Sequence, residues 1–391
     1  MRKVGIQVDL AGGYGRETLR GIMRYANTVG DWEFVMPPMY SLNTKRTVEP
    51  HSVDGVIAML HSPRSYDAFR VAGIPVVNVA RTLSVEQLSE MGLPSVLPDD
   101  EAIGRLAYDC LRDLGFRRFG FCGHPTSDWS HARRKTFAAA AEAGGFPCST
   151  VSAADKVPVD WVIALKKPCA ILAGNDRYAW HAIDACREAG IRVPEDVAVL
   201  GVDNDVLLAE MVRPTLSSIT PAALRIGYVA AELLGELIRG KPTPPAPVLI
   251  PPEGVVTRHS TDVLAMDDPD VVAAARFIRE NAAKPISVDD VMEQVTTSRR
   301  NLERRFRREL GRSILDEIRR MHLARAMNLL RNTDLDIPAI AHESGFTSAI
   351  RFSTVFRELT GMPPSQYRRE QRVTGAQQQR DRGAFVKRRV T

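Results

Sequence analysis

Several polar side chains fall just after short apolar runs. Asn175 and Asp176 follow "ILAG", Asp203-Asn204-Asp205 follow "VLGV", and Trp129 and Arg133 follow "FCG". An indole face, carboxylates, an amide and a guanidinium fork together suit a neutral polyol. Its ring carbons stack on the apolar face, and each hydroxyl takes a donor and an acceptor. Singly, each residue has another use: Asp176 and Asp205 could cap helices, and Trp129 could fill a core. Their shared position after apolar runs favours one cleft. Catalysis finds no support, because the chain has no G-x-x-x-x-G-K-[ST], no H-E-x-x-H and no G-x-S-x-G. Gly13-Tyr14-Gly15 follows the first apolar run, but the third glycine of a dinucleotide fingerprint would fall on Thr18. These glycines are expected to let the chain turn tightly at the cleft. No enzymatic activity, metal site or cofactor is expected.

The elements that must position these residues are legible as alternating strands and helices. Val4–Val8, "DGVIAML" (54–60), "IPVVNV" (74–79), "RFGFCG" (118–123), "CAILAG" (169–174) and "VAVLGVD" (197–203) predict buried strands with helical stretches between them. That alternation predicts a parallel, doubly wound sheet, whose ligands sit beyond the carboxyl ends of the strands. The 391 residues allow two or three domains, and 44% hydrophobic with 25% charged residues is ordinary for a globular chain. No run of 18 apolar residues predicts a membrane span. Met1 leads directly into a strand-like run without a signal-peptide pattern. The five cysteines form no Cys-x-x-Cys pair, so reduced thiols in the cytoplasm are expected.

Charge divides the chain. From Val271 to Thr391 there are 22 Arg and 2 Lys against 14 acidic residues, a net of +10 in a chain whose total is +5. A basic final third on an acidic body suits a polyanionic partner. The stretch from 239 to 269 is proline-rich and predicts a last strand of the α/β region and then a linker over 261–269. Beyond it, helices are predicted over 270–281, 288–294, 299–310, 314–331, 337–343, 349–359 and 364–372. An internal repeat with an offset of 50 relates Ser298 to Ser348, Phe306 to Phe356, Arg307 to Arg357 and Gly311 to Gly361. Each copy predicts a short helix, a tight turn and a longer helix capped by serine: two helix-turn-helix units. The helix between them is expected to keep Ile314, Ile318, Met321, Ala324, Leu329 and Leu330 on or near one stripe. Side chains facing away from the core are the base-contact candidates: Arg299, Arg300, Glu303 and Arg304 in the first unit, with Ser348, Ala349, Ile350, Arg351, Ser353 and Thr354 in the second. Phosphate contact is the commoner use of any single arginine. A basic tail, 373–391, is expected to be disordered.

Two resemblances follow from these segments. "AILAGNDRYAWHAIDACREAGIRVPEDVAVLGVDN" and the later Arg213-Pro214-Thr215-Leu216-Ser217 are similar to the effector domain of LacI/GalR-type repressors and periplasmic sugar-binding proteins, over about residues 4 to 260. "A..LL..T...I..IA...GF....RFS..FR...G..P..YR", from Ala326 to Arg368, resembles the AraC-type DNA-binding domain. Together they imply an α/β, two-lobed, periplasmic-binding-protein-like sensor over 1–260, then an all-α domain over 270–372. The order resembles the xylose-regulator branch of bacterial carbohydrate control. The resemblance implies an effector site at Arg133, Asn175 and Asp203, with Tyr14, Arg16 and Trp129 matched more narrowly in that branch. It implies a transcription regulator, expected to activate in response to xylose or a related sugar. Its implied partners are direct-repeat DNA read in the major groove, the sugar, a second copy bound through the sensor, and RNA polymerase. The alternative is a regulator whose sensor-like lobes serve mainly dimerisation or take a non-sugar ligand.

Overall fold

A computed structural model of the chain describes residues 1–36, 48–242, 246–266 and 268–372. It divides into two compact units, Met1–Ala265 and Met266–Thr391. The basic tail lies outside the described residues.

The first unit is two lobes. The first lobe begins with β1 (Arg2–Gln7), α1 (Gly13–Val29), β2 (Trp32–Val35), β3 (Gly55–Ala58), α2 (Arg64–Val71), β4 (Val76–Asn78), α3 (Val85–Glu90) and β5 (Val96–Pro98). The chain then crosses to the second lobe: α4 (Asp100–Asp113), β6 (Phe119–Gly123), α5 (Asp128–Ala143), β7 (Cys148–Ser152), α6 (Val159–Ala164), β8 (Cys169–Ala173), α7 (Asp176–Glu188), β9 (Val197–Val202), α8 (Val206–Met211) and β10 (Ser217–Thr220). It returns through α9 (Ala223–Ile238) and β11 (Val248–Ile250), then goes back to the second lobe as β12 (Gly254–Val256). The first sheet runs β2-β1-β3-β4 and the second β12-β10-β9-β8-β6-β7. Pairing is parallel except at β12, which runs antiparallel to β10. β11 pairs in parallel with β5. The crossings are tied together, since Asp99 N–H donates to Ile250 O (2.8 Å) and Glu253 N–H to Thr220 O (2.9 Å).

The expected central strands are present because helices cover both faces and their residues are continuously apolar; β3, β6, β8 and β9 are buried throughout. Three of the strands not predicted lacked that signal. β2 and β7 are partly exposed and sit at sheet edges. β10 is buried but begins with Ser217 and Ser218, whose hydroxyls are paired internally. The expected turn at Gly13-Tyr14-Gly15 falls instead inside the first turn of α1. Gly15 is required there by close approach, since a Cβ would meet Asp9 O at 1.7 Å.

The second unit is helical: α10 (Pro269–Glu280), α11 (Val288–Met292), α12 (Arg299–Leu310), α13 (Ile314–Asn332), α14 (Ile337–Glu343), α15 (Ala349–Thr360) and α16 (Pro364–Arg372). α11–α12 and α14–α15 are the two repeated pairs. Gly311 and Gly361 close their longer helices in the left-handed region, at φ +73° and +78°. Capping differs between the copies. Ser348 Oγ accepts from Arg351 N–H, whereas Ser298 stands at the same position without a side-chain bond. The stripe of α13 also differs from expectation. Ala324 is exposed, and the buried positions are Ile314, Ile318, His322, Ala326 and Leu330, spaced by four, with Glu317 beside them. Pattern reading passes over His322 and Glu317 because both are polar. Burial alone would raise the Glu317 carboxyl, but Arg320 and Arg312 hold it down at about 2. The stretch expected as a linker is ordered at both ends. Thr261 Oγ1 donates to Ser217 Oγ (2.7 Å), Ala265 N–H donates to Leu114 O (2.8 Å), and Asp268 accepts from Asp270 and Val271 N–H at the start of α10.

Candidate functional site

A cavity of about 230 Å³ lies between the lobes, lined by Tyr14, Trp129, Arg133, Asn175 and Asp203 among the predicted residues. Asp9, Met59, His61, Arg81 and Thr82 complete much of its wall. The volume is below the usual ~300–1,000 Å³ of drug-sized pockets, so it suits a small ligand. Its walls come from strand ends and helix starts of both lobes, as a doubly wound sheet dictates. The edges of the cleft are bonded to each other. Trp129 N–H donates to Arg81 O (2.9 Å), Asp128 N–H to Thr82 O (3.3 Å), and Arg81 Nε to Asp128 Oδ2 (2.7 Å).

Both guanidiniums at the cavity are already neutralised. Arg133 is buried, donates from Nε to Asp100 Oδ1 (2.7 Å) and from Nη1 to Gly174 O (2.6 Å), and its Cζ lies 5.1 Å from the Trp129 ring centre. Arg81 grips Glu101 with two bonds (2.7 and 2.9 Å) in addition to Asp128. Burial pushes the Asp100 carboxyl up to about 6, against the pull of Arg133 and Arg81. Burial likewise pushes Asp203 up to about 7, opposed by Arg133 and reinforced by Asp100 and Asp205. Asp203, at the cavity wall, stands at φ +116°, and Asn204 behind it at +46°, two strained neighbours.

Not every expected residue is free to face a ligand. Tyr14 lines the cavity, but its hydroxyl donates to Val79 O (2.7 Å), and burial keeps the phenol neutral. Arg16 is not at the wall. Its guanidinium donates to Leu10 O, Ala11 O and, across the lobes, Asp205 Oδ1 at 3.0, 2.7 and 2.7 Å. Asn175 caps α7, its Oδ1 accepting from Tyr178 N–H (3.1 Å), so one of the two lone pairs of that oxygen is already used. Of the two carboxylates weighed as caps, Asp205 sits at the start of α8 without a side-chain cap, and Asp176 instead accepts from Asp205 N–H (2.8 Å) and Ser218 Oγ (2.5 Å).

In the helical unit, Arg299, Arg300 and Arg304 are exposed on α12, and Phe306 is buried beneath them. Arg299 Nη1 lies 3.1 Å from Asp289 Oδ1, and Arg304 Nη2 donates to Asn301 Oδ1 (3.0 Å). Glu303 is half-buried, with Oε2 shielded from solvent. On α15, Phe352 and Phe356 are buried, whereas Ile350 is 83% exposed beside exposed Arg351 and Thr354. Ala349 and Ser353 are half-buried, and Ser348 Oγ is taken up in capping. The outward face is thus cationic on α12 and small, apolar and cationic on α15.

Residues 108–261 match a periplasmic binding protein-like domain, and residues 291–370 a helix-turn-helix domain. The xylose operon regulatory protein of Haemophilus influenzae is 31% identical over 370 residues, covering 91% of this chain and 95% of that protein. The chain belongs to the xylose operon regulator family. The Escherichia coli K12 member is 30% identical, over 91% of this chain and 94% of its own. The solved structure of the xylose-binding transcription activator XylR matches with a TM-score of 0.60 at 29% identity, covering 94% of this chain and 97% of that one. A LacI family transcriptional regulator from Enterococcus faecium with bound ribose shares the sensor fold at 20% identity and a TM-score of 0.56, over 68% of this chain and 100% of that one. This family member is therefore a DNA-binding transcription regulator and not an enzyme. Among its described residues no helix is long and apolar enough to cross a membrane. Sequence reasoning missed Arg81 and Asp100: Arg81 follows the predicted strand over 74–79, where the strand-end rule would have found it, whereas Asp100 follows β5, for which no strand was predicted.

Proposed function

We propose that this family member is a xylose-responsive activator, and that the cavity between its lobes takes the sugar. The observation that carries this is the convergence of Trp129, Arg133, Asn175 and Asp203 on one small cavity whose guanidiniums are already paired with carboxylates. Such a wall offers hydroxyl partners and an indole face without spare positive charge, so a neutral pentose suits it better than a sugar phosphate or sugar acid. Titration calorimetry with D-xylose, D-ribose, D-glucose and a pentose phosphate tests this. Binding of D-xylose without the phosphate is expected, and a preference for the phosphate would overturn the reading.

Asp203 sets the pH dependence. A ligand hydroxyl donates to the ionised carboxylate, which in the empty cavity forms only as pH rises through about 7. Affinity is therefore expected to fall up to about tenfold per pH unit below 7 and to level off above it. The ligand-free fold behaves oppositely. A carboxyl raised above its unfolded value of about 3.9 lends stability that is full at low pH and lost as pH rises through about 7. Asp203→Asn should flatten the affinity profile between pH 6 and pH 8. A slope unchanged in that variant would remove Asp203 from the site.

The two unlike recognition helices, α12 and α15, suit two successive major-groove segments of a direct repeat, about one helical turn (~34 Å) apart. Arg300→Ala should weaken one segment and Arg351→Ala the other. Loss of a base-reading arginine should cost about 1–3 kcal/mol and relax specificity locally; loss of a phosphate contact should weaken all sequences alike. Ile350 and Ala349 beside Arg351 permit close approach to a base edge. Footprints in which both segments weaken equally on every sequence would make Arg351 a phosphate clamp. The sensor lobes pair two copies, the activated reader contacts RNA polymerase, and the protein acts in the bacterial cytoplasm on the nucleoid. Light scattering should give a dimer for residues 1–265, and a monomer at micromolar concentration with and without D-xylose would refute pairing through the sensor.

A further inference from the structure

We infer that Asn204 and Arg258 form a clasp that passes the state of the cavity to the segment by which the sensor leads into the reader. The inference rests on the cavity reading above. Asp203 lines the cavity, and Asn204 is the next residue; both hold positive φ without being glycine. Such backbone persists only where its surroundings over-determine it. Here three bonds do so: Asn204 N–H to Ser218 Oγ (2.9 Å), Asp205 N–H to Asp176 Oδ2 (2.8 Å), and Arg258 Nη2 to Asn204 Oδ1 (2.9 Å).

The third bond differs in kind, because Arg258 belongs to the exit segment, seven residues before Ala265. Its second nitrogen, Nη1, donates to Leu216 O (2.8 Å), and its backbone N–H donates to Ser217 Oγ (2.7 Å). The residues after it are threaded into the same strands. Ser260 Oγ accepts from Ser217 N–H (2.9 Å) and donates to Val199 O (2.6 Å), and Thr261 Oγ1 donates to Ser217 Oγ (2.7 Å). A ligand that turns the Asp203 carboxylate redraws the adjacent Asn204 peptide, moves the Oδ1 that Arg258 grips, and shifts this hydroxyl network at the start of the exit. Neither Asn204 nor Arg258 lines the cavity, so both are positioning residues.

The test uses the full chain, D-xylose and operator DNA, with Asn204→Ala, Arg258→Ala and Arg258→Lys. In the unaltered protein D-xylose should change DNA affinity by a factor within the usual range of about 5–150. Asn204→Ala and Arg258→Ala should keep D-xylose affinity in the absence of DNA within about threefold while reducing that factor below about two; reciprocity then requires that DNA no longer alter D-xylose affinity in them. Arg258→Lys, with one compact ammonium in place of the fork, should retain an intermediate factor. Amide exchange of residues 258–266 should respond to D-xylose in the unaltered chain and not in Asn204→Ala. Should Arg258→Ala fail to fold, Asn204→Ala decides alone, since it leaves the bond to Leu216 in place. A full DNA response in Asn204→Ala overturns the clasp and leaves the cavity reading standing. Absence of D-xylose binding in the unaltered chain overturns the cavity reading, and the clasp with it.

Discussion

Arg133→Ala is expected to abolish the sugar response and to lower the stability of the sensor by about 3–5 kcal/mol, the cost of stranding a buried charge partner. Asp100 is fully buried, and Arg133 is the cation bonded directly to it, with Arg81 3.9 Å away. Removing the guanidinium also frees Gly174 O and the Trp129 face that it covers. In a unit of this size that loss should lower the melting temperature by about 10 °C. The Asp100 share of the deficit should shrink as pH falls toward about 6, because a protonated Asp100 no longer needs its partner and below that pH both forms hold it protonated. Asp203→Ala is the counterpart that separates response from stability. It should lose D-xylose binding without comparable destabilisation, because among the described residues no side-chain hydrogen bond of Asp203 holds the fold. Normal D-xylose affinity in Arg133→Ala, measured by calorimetry at a temperature where the variant is folded, would remove Arg133 from the site.

The second large effect is expected in the reader. Gly345 stands at φ +79°, and a Cβ there would lie 2.5 Å from both Lys284 O and His322 Nε2. The left-handed conformation alone costs a side chain about 1–2 kcal/mol. The oxygen of Lys284 is backbone and cannot swing away, and His322 is buried in the α13 stripe against the Phe346 ring, centroids 5.6 Å apart. Gly345→Ala is therefore expected to cost about 3 kcal/mol or more, within the range of strain added to overpacking. It should loosen α14 and α15 and reduce operator affinity by more than about tenfold, since 1.4 kcal/mol is a factor of ten. D-xylose binding by the sensor should be unchanged, which distinguishes this from general misfolding. Unaltered operator affinity together with an unaltered melting profile would show that the turn accommodates a side chain.

The legibility of this chain depended on whether an element announces itself locally. Strands buried on both faces are continuous apolar runs, so β6, β8 and β9 could be placed from sequence. β10 could not, because Ser217 and Ser218 satisfy their hydroxyls against Arg258 and Asp176, more than 40 residues away in each case. The helices of the reader were placed closely by their periodicity and glycine ends, and the 50-residue repeat exposed both reading units. The α13 stripe was misassigned at Ala324 because its true members include His322 and Glu317, polar groups buried only because partners neutralise or pack them.

The same division applies at the site. Residue types and the strand-end rule were enough to name Trp129, Arg133, Asn175 and Asp203, because a doubly wound sheet brings the ends of its strands to one crevice whatever the details. Which of those groups remains available was decided by tertiary contacts. Asn175 gives one lone pair of its amide oxygen to a helix cap, Arg16 its guanidinium to Asp205, and Tyr14 its hydroxyl to Val79. Hydrogen-bonding capacity is finite, and no local pattern records where a side chain has already used it. The sequence alone determined a doubly wound α/β region ahead of a paired helix-turn-helix reader, because apolar runs and the 50-residue repeat are local; the division of that region into two sensor lobes was implied by the resemblance. The pairing of the guanidiniums, the raised carboxyl of Asp203 and the link from Asn204 to Arg258 join residues far apart in the chain, 54 positions in the last case, and only the folded chain brings such groups together.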